Sequence, residues 1–294
     1  MGLFSLFILC RFFHFAALMQ LFGATLYIAL LAPKTLRPTM ALRLRTLISI
    51  SVIISTVTSI AMLALQAGQM GDGWRDVLQP STWQMVLGTT FGQVWQWHCL
   101  LALCSVLALC LLRGQAQTSI LLLLSLFLLA SLGLIGHAAI QSGIWGMVHR
   151  VNHALHLLSA GFWIGGLLPF LLCISYSRTD THRIDAIYTM IRFSTYGHLA
   201  VAIVILTGLV NTLFTLPAIT LNLASEYQQL LFIKVIFVFI MLGQAIYNRY
   251  RIIPRIKATP ERALKTLGYG SIAELAFGVG VLLLVSAFAM LEPL

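Results

Sequence analysis

Residues 148–176 read VHRVNHALHLLSAGFWIGGLLPFLLCISY. No charged side chain interrupts the run from Leu157 to Tyr176, and a bilayer-crossing helix needs about 20 mostly apolar residues. The segment is long enough to span a membrane, and it gathers its polar side chains at one end. Comparable runs, bounded by charges or by Pro and Gly, recur near residues 3–32, 46–67, 95–113, 118–139, 190–216, 228–250 and 267–291. Together they predict an all-α fold, a polytopic membrane helix bundle of eight spans, with residues 1–294 forming a single integral membrane domain.

Composition agrees. Of 294 residues, 60% are hydrophobic and 9% charged, far below the roughly 25% charged fraction of globular proteins, and mean hydropathy is +0.95. The net charge of +10 does not mark a nucleic-acid partner, because the basic residues sit in short connections rather than on one surface. Lys34, Arg37, Arg43 and Arg45 follow the first span; Arg113 follows the third; Arg178, Arg183 and Arg192 follow the fifth; Arg249, Arg251, Arg255, Lys257, Arg262 and Lys265 follow the seventh. Fourteen of the eighteen basic residues thus fall in alternate loops, which the positive-inside rule assigns to the cytoplasm. Both termini are then expected in the periplasm. The N-terminus has neither the basic n-region nor the small-residue cleavage site of a signal peptide, so its apolar run is expected to stay as the first span.

Cys10, Cys99, Cys104, Cys110 and Cys173 lie within apolar runs without CxxC spacing, which indicates neither a disulfide framework nor a zinc ribbon. Trp74, Trp83, Trp95 and Trp145, on the expected periplasmic side, read as headgroup anchors. A weak internal echo pairs Arg11-x-x-His14 with Arg150-x-x-His153. A second one sets His98 fifteen residues before Arg113, and Lys234 fifteen before Arg249. These echoes suggest two parallel four-helix repeats, 1–140 and 148–294.

Eight histidines are many for so apolar a chain. His98, His137, His149, His153 and His156 fall at or near the expected periplasmic ends of spans three to five. His14 lies deeper in span one, His198 inside span six and His182 in a cytoplasmic loop. His149, His153 and His156 are spaced i, i+4, i+7, so they share one helical face. Any one interfacial histidine is ordinarily a hydrogen-bonding side chain, but ionisable groups inside spans default to function. The group reads as a shared metal site, and imidazole suits copper, zinc, nickel or iron. Trp163, Gly165 and Gly166 read as a helix-packing seam. Glu274, about 10 Å inside the last span at 1.5 Å per residue, requires a partner. There is no nucleophilic triad, phosphate loop, HExxH helix or dinucleotide fingerprint.

The run Arg150-Val-Asn-His153-Ala-Leu-His156, continued by Leu-Leu-Ser-Ala-Gly-Phe-Trp163-Ile-Gly-Gly-Leu167, resembles the CopD family of copper-resistance and copper-homeostasis membrane proteins. So do Arg11-x-x-His14, Thr207-Gly208-Leu209-Val210-Asn211 and Asn248-Arg249. The resemblance implies an inner-membrane protein that takes copper from a small periplasmic CopC-like carrier and moves it inward. His153 and His156 match the family pattern best. The chain has no methionine-rich external segment and no fused CopC-like domain, so the carrier is expected in trans.

His156-x6-Trp163-x-Gly165-Gly166-Leu167 is also similar to a smaller membrane protoporphyrinogen oxidase family, whose members resemble haem-binding four-helix bundles. That resemblance implies haem b held by imidazoles among His14, His153, His156 and His198. Such a protein would exchange electrons with quinone or oxidise Cu(I). At 1.5 Å per residue His14 and His156 lie about 16 and about 12 Å below the same membrane face, depths that one iron can bridge. A third reading, a structural partner within the lipid bilayer that holds no cofactor, leaves the histidines idle.

Overall fold

The computed structural model describes residues 2–136, 141–178, 181–216, 225–256, 258–288 and 290–291; His137 lies outside them. The described residues form nine α-helices: α1 Leu3–Leu26, α2 Arg37–Met70, α3 Pro80–Leu87, α4 Thr90–Leu111, α5 Gly114–Leu132, α6 Gly143–Tyr176, α7 Arg183–Thr215, α8 Glu226–Tyr247 and α9 Pro260–Phe288. All but α3 are long and apolar enough to cross a membrane, giving eight candidate spans. The fold is an all-α polytopic bundle.

Several helices outrun the apolar segments that announce them, whereas α5 ends at Leu132, short of its own. α2 and α6 have 34 residues each, about 51 Å at 1.5 Å per residue, against a hydrocarbon layer of roughly 30 Å. Hydropathy stops at the first charge, whereas helical hydrogen bonding continues through Arg37, Arg43 and Arg45 into the aqueous margin. Local residues set the ends. Pro38 sits in the first turn of α2 and Pro80 opens α3, where a missing N–H costs nothing. The Thr89 side chain caps α4 by accepting from the Gly92 N–H at 3.1 Å. Between α4 and α5 the chain turns within Leu112 and Arg113, and Gly114 supplies the positive φ of 59° that this requires.

α1 ends in a widened π turn, Tyr27–Leu31, and the Leu31 carbonyl accepts from Arg192 Nη1 of α7 at 3.0 Å. The turn thus frees an acceptor that anchors a neighbouring helix on the arginine-rich side.

α1, α2, α4 and α5 close into a ring, each packed against the next and α5 back against α1. The other four do not close. α6 packs on α7 and α9, and α9 on α8, but among the described residues α7 and α8 do not pack closely on each other. α1 joins the halves, lying against α6 and α9 as well as α2 and α5. Gly166 faces α7, where a Cβ would lie 2.3 Å from the Phe193 ring, and the crossing of α1 with α6 is made at Gly165, where a Cβ would lie 1.9 Å from the Met19 carbonyl oxygen and 3.1 Å from Gly23 Cα. Only hydrogen fits between these backbones. Trp163 is buried on the same helix beside Ile164 and Leu167.

Candidate functional site

The gap between α7 and α8 holds two cavities, one above the other. The first, about 300 Å³, is bordered by His149, His153 and His156 of α6, by Arg11 and His14 of α1 and by Lys234 of α8. The α6 stripe therefore faces inward on one space. His153 and His156 lie with ring centroids 6.5 Å apart and planes within 11°. His149, only 2% exposed, stacks on Phe214 at 4.8 Å.

The hydrogen bonds around these rings assign their protons. The Thr207 hydroxyl donates to the Ile203 carbonyl (2.5 Å), so it accepts from His156 Nδ1 at 3.0 Å. That leaves the His156 Nε2 lone pair available to a metal. Asn152 Nδ2 donates to Asn211 Oδ1 at 2.9 Å and fixes that amide; Asn211 Nδ2 then donates to His153 Nδ1 at 3.3 Å, so a metal ion at His153 would take that lone pair in place of the amide. Gly208 sits where a Cβ would come within 3.3 Å of His156 Cε1, so the Thr207-Gly208 pair both orients the imidazole and makes room for it.

His98 is not on this cavity. It is 0% exposed, as is His14, and the two imidazoles meet Nε2 to Nε2 at 3.0 Å. His14 Nδ1 lies 2.8 Å from Thr58 Oγ1 and His98 Nδ1 lies 2.8 Å from Ser131 Oγ. Trp95, fully buried, stacks on His98 at 4.5 Å with planes within 10°, and its Nε1 donates to the Ser59 carbonyl at 2.8 Å. Trp95 is thus a wall of the histidine pair and not a headgroup anchor, whereas Trp74 and Trp145 are more than half exposed. Nothing in the spacing of His14 and His98, 84 residues apart, links them; closure of the α1–α2–α4–α5 ring does.

The second cavity, about 400 Å³, lies toward the arginine-rich end and is bordered by Trp163, His198, Arg249 and Glu274. Here Glu274 finds the partners that its depth demands: Trp163 Nε1 donates at 3.3 Å and Asn248 Nδ2 at 2.9 Å, while Gln244 Nε2 donates to Asn248 Oδ1 at 2.9 Å. His198 is separate from His14, His153 and His156. Its Nδ1 donates to the Ser194 carbonyl at 2.7 Å and Tyr250 lies 3.4 Å from its Nε2. Among the described residues no three His, Cys, Asp or Glu side chains converge closely enough to hold one metal ion.

These features define a multi-pass membrane protein with imidazoles set inside its helix bundle. The chain belongs to the copper resistance protein D family: the family described as copper resistance protein D-like, N-terminal domain, matches residues 3–147, and copper resistance protein D matches residues 187–288. It is 38% identical to the inner membrane protein YebZ of Escherichia coli (strain K12), over 96% of this chain and 97% of that one. It is 29% identical to copper resistance protein D of Pseudomonas syringae pv. tomato, over 96% and 95%. It is 30% identical to the copper transport protein CutJ of Bacillus subtilis (strain 168), over 53% of this chain and 27% of that protein. No solved structure matches the chain.

Proposed function

We propose that this is an inner-membrane copper-homeostasis protein that takes copper from the periplasm into the α6 histidine cavity and passes it on. The observation that carries this reading is that His149, His153 and His156 border one cavity, in a chain with relatives named for copper resistance and copper transport. His98, expected at the same site, does not border this cavity and pairs with His14; His137 lies outside the described residues. The cavity lies at the end of the bundle away from the clustered arginines, which the positive-inside rule makes periplasmic, with both termini on that side. A CopC-like carrier is the expected donor. We read the two helix sets as repeats of one unit, 1–140 and 148–294, in which Lys234 stands where His98 stands in the first.

The test is the double substitution of His153 and His156 by Ala. Purified anaerobically in detergent, the variant is expected to insert normally and to lose the cavity copper, whereas His182→Ala keeps it. Unchanged copper in the double variant sinks the assignment. Orientation has its own check: in intact spheroplasts an impermeant maleimide is expected to label Trp74→Cys and to spare Thr259→Cys.

A second reading is favoured by one observation. His14 of α1 and His156 of α6 border the same cavity from different helices, together with the cations Arg11 and Lys234. Were His14 to turn from His98, these two imidazoles would hold haem b, and the two cations would pair with its carboxylates. Bound haem would supply one-electron chemistry, with quinone as exchange partner. A Soret band with reduced α and β bands selects this reading; a featureless visible spectrum with bound copper selects the first; neither cofactor leaves a structural membrane partner.

A further inference from the structure

We propose that His14 and His98 form a second, dry metal site, two-coordinate and selective for Cu(I) over Zn(II) and Cu(II). The proposal rests on the copper reading but not on the α6 cavity.

The two rings present their Nε2 atoms to each other at 3.0 Å, fully buried. Each Nδ1 meets a hydroxyl that has a carbonyl of its own to serve: Thr58 Oγ1 lies 2.6 Å from the Ile54 oxygen, and Ser131 Oγ lies 2.8 Å from the Leu128 oxygen. With those hydroxyl bonds in place, both hydroxyls accept, both Nδ1 atoms carry protons, and two Nε2 lone pairs point at one another. A cation between them, a proton or a metal ion, relieves the opposition of the two lone pairs. A metal-bound histidine characteristically donates its other ring N–H to an oxygen, and here both do.

The number of donors selects the ion. Zn(II) takes four ligands, Cu(II) prefers four in a tetragonal plane, and magnesium and calcium demand six or more oxygens. Among the described residues no third His, Cys, Asp or Glu joins the pair, and the indole of Trp95 covers one ring face. Two neutral nitrogens in line satisfy a monovalent d¹⁰ ion and starve the divalent ones. Two imidazole–metal bonds of about 2 Å span about 4 Å, so the rings must part by about 1 Å. His14 can yield, because it also borders the cavity, which is the route by which the ion arrives. Space for a macrocycle between the rings is lacking at this separation, so the pair is not a haem site.

The experiment is anaerobic titration of the detergent-purified protein with Cu(I) held by bicinchoninate, followed by X-ray absorption. The wild type is expected to retain one Cu(I) that His153→Ala/His156→Ala does not remove, bound by two nitrogens and not displaced by excess Zn(II). His98→Gln and His14→Asn are each expected to lose that equivalent. Ser131→Ala, which removes only the accepting hydroxyl, should weaken it about 10- to 100-fold. Retention of the equivalent in both histidine variants, displacement by Zn(II), or a spectrum with three or four donors overturns the site. A lowered melting temperature in His98→Gln with unchanged copper content does so too, since the pair is then only a hydrogen-bonded link from Thr58 to Ser131. Loss of cavity copper alone, with this ion retained, counts against the proposed function and not against the pair.

Discussion

Gly165→Ala is expected to leave little folded protein. The new methyl would stand 1.9 Å from the Met19 carbonyl oxygen, and that neighbour is backbone on a tightly held helix. Overpacking a core ordinarily costs about 1–3 kcal/mol; with backbone on both sides of the contact the expected loss is about 3 kcal/mol or more, a large share of the roughly 5–15 kcal/mol that holds a typical protein together. Gly197→Ala is the control. It adds the same methyl to α7 with nothing within 4 Å, and by helix propensity should be neutral or stabilising by about 1 kcal/mol. Monodisperse yield in detergent and the thermal midpoint measure both. Equal midpoints for the two variants would show that α1 and α6 do not meet as described.

Glu274→Leu carries the next largest expected effect. The carboxylate accepts from Trp163 Nε1 and Asn248 Nδ2, and it is 4% exposed. Leucine strands both donors, each at about 1–3 kcal/mol, for a combined fall of about 2–6 kcal/mol. Glu274→Gln keeps the shape and one acceptor and should fall by about 1 kcal/mol. Adding Trp163→Phe to Glu274→Leu removes one of the stranded donors, so the double variant should regain stability relative to Glu274→Leu. Strict additivity in that cycle would mean that the two side chains do not interact.

Hydropathy made all eight spans legible because the bilayer imposes a length on each, and the structure shifts their ends while keeping eight among the described residues. It missed α3, whose eight residues are too short and too mixed to register. The i, i+4, i+7 spacing of His149, His153 and His156 was readable since it is local to one helix. The pairing of His14 with His98 was not, for hydropathy reports depth along a helix and says nothing of its rotation or its neighbours. The same blindness grouped His198 with the deep histidines, although its face of α7 meets Ser194 and Tyr250. It also sent Trp95 to the interface when ring stacking holds it inside. Glu274 shows the converse: its depth required partners, and only the approach of α6 and α8 to α9 could name them.

The central position of α1 sets an order on how the protein can be made. It is the first of the eight spans to leave the ribosome, yet two of the helices it lies against, α6 and α9, come from the second half of the chain. Until they are inserted, the groove at Gly23 stands open to lipid and Arg11 has no Met290 to meet. Final assembly therefore waits on the end of translation, and a nascent chain halted after α5 would present a closed ring with one unfinished side.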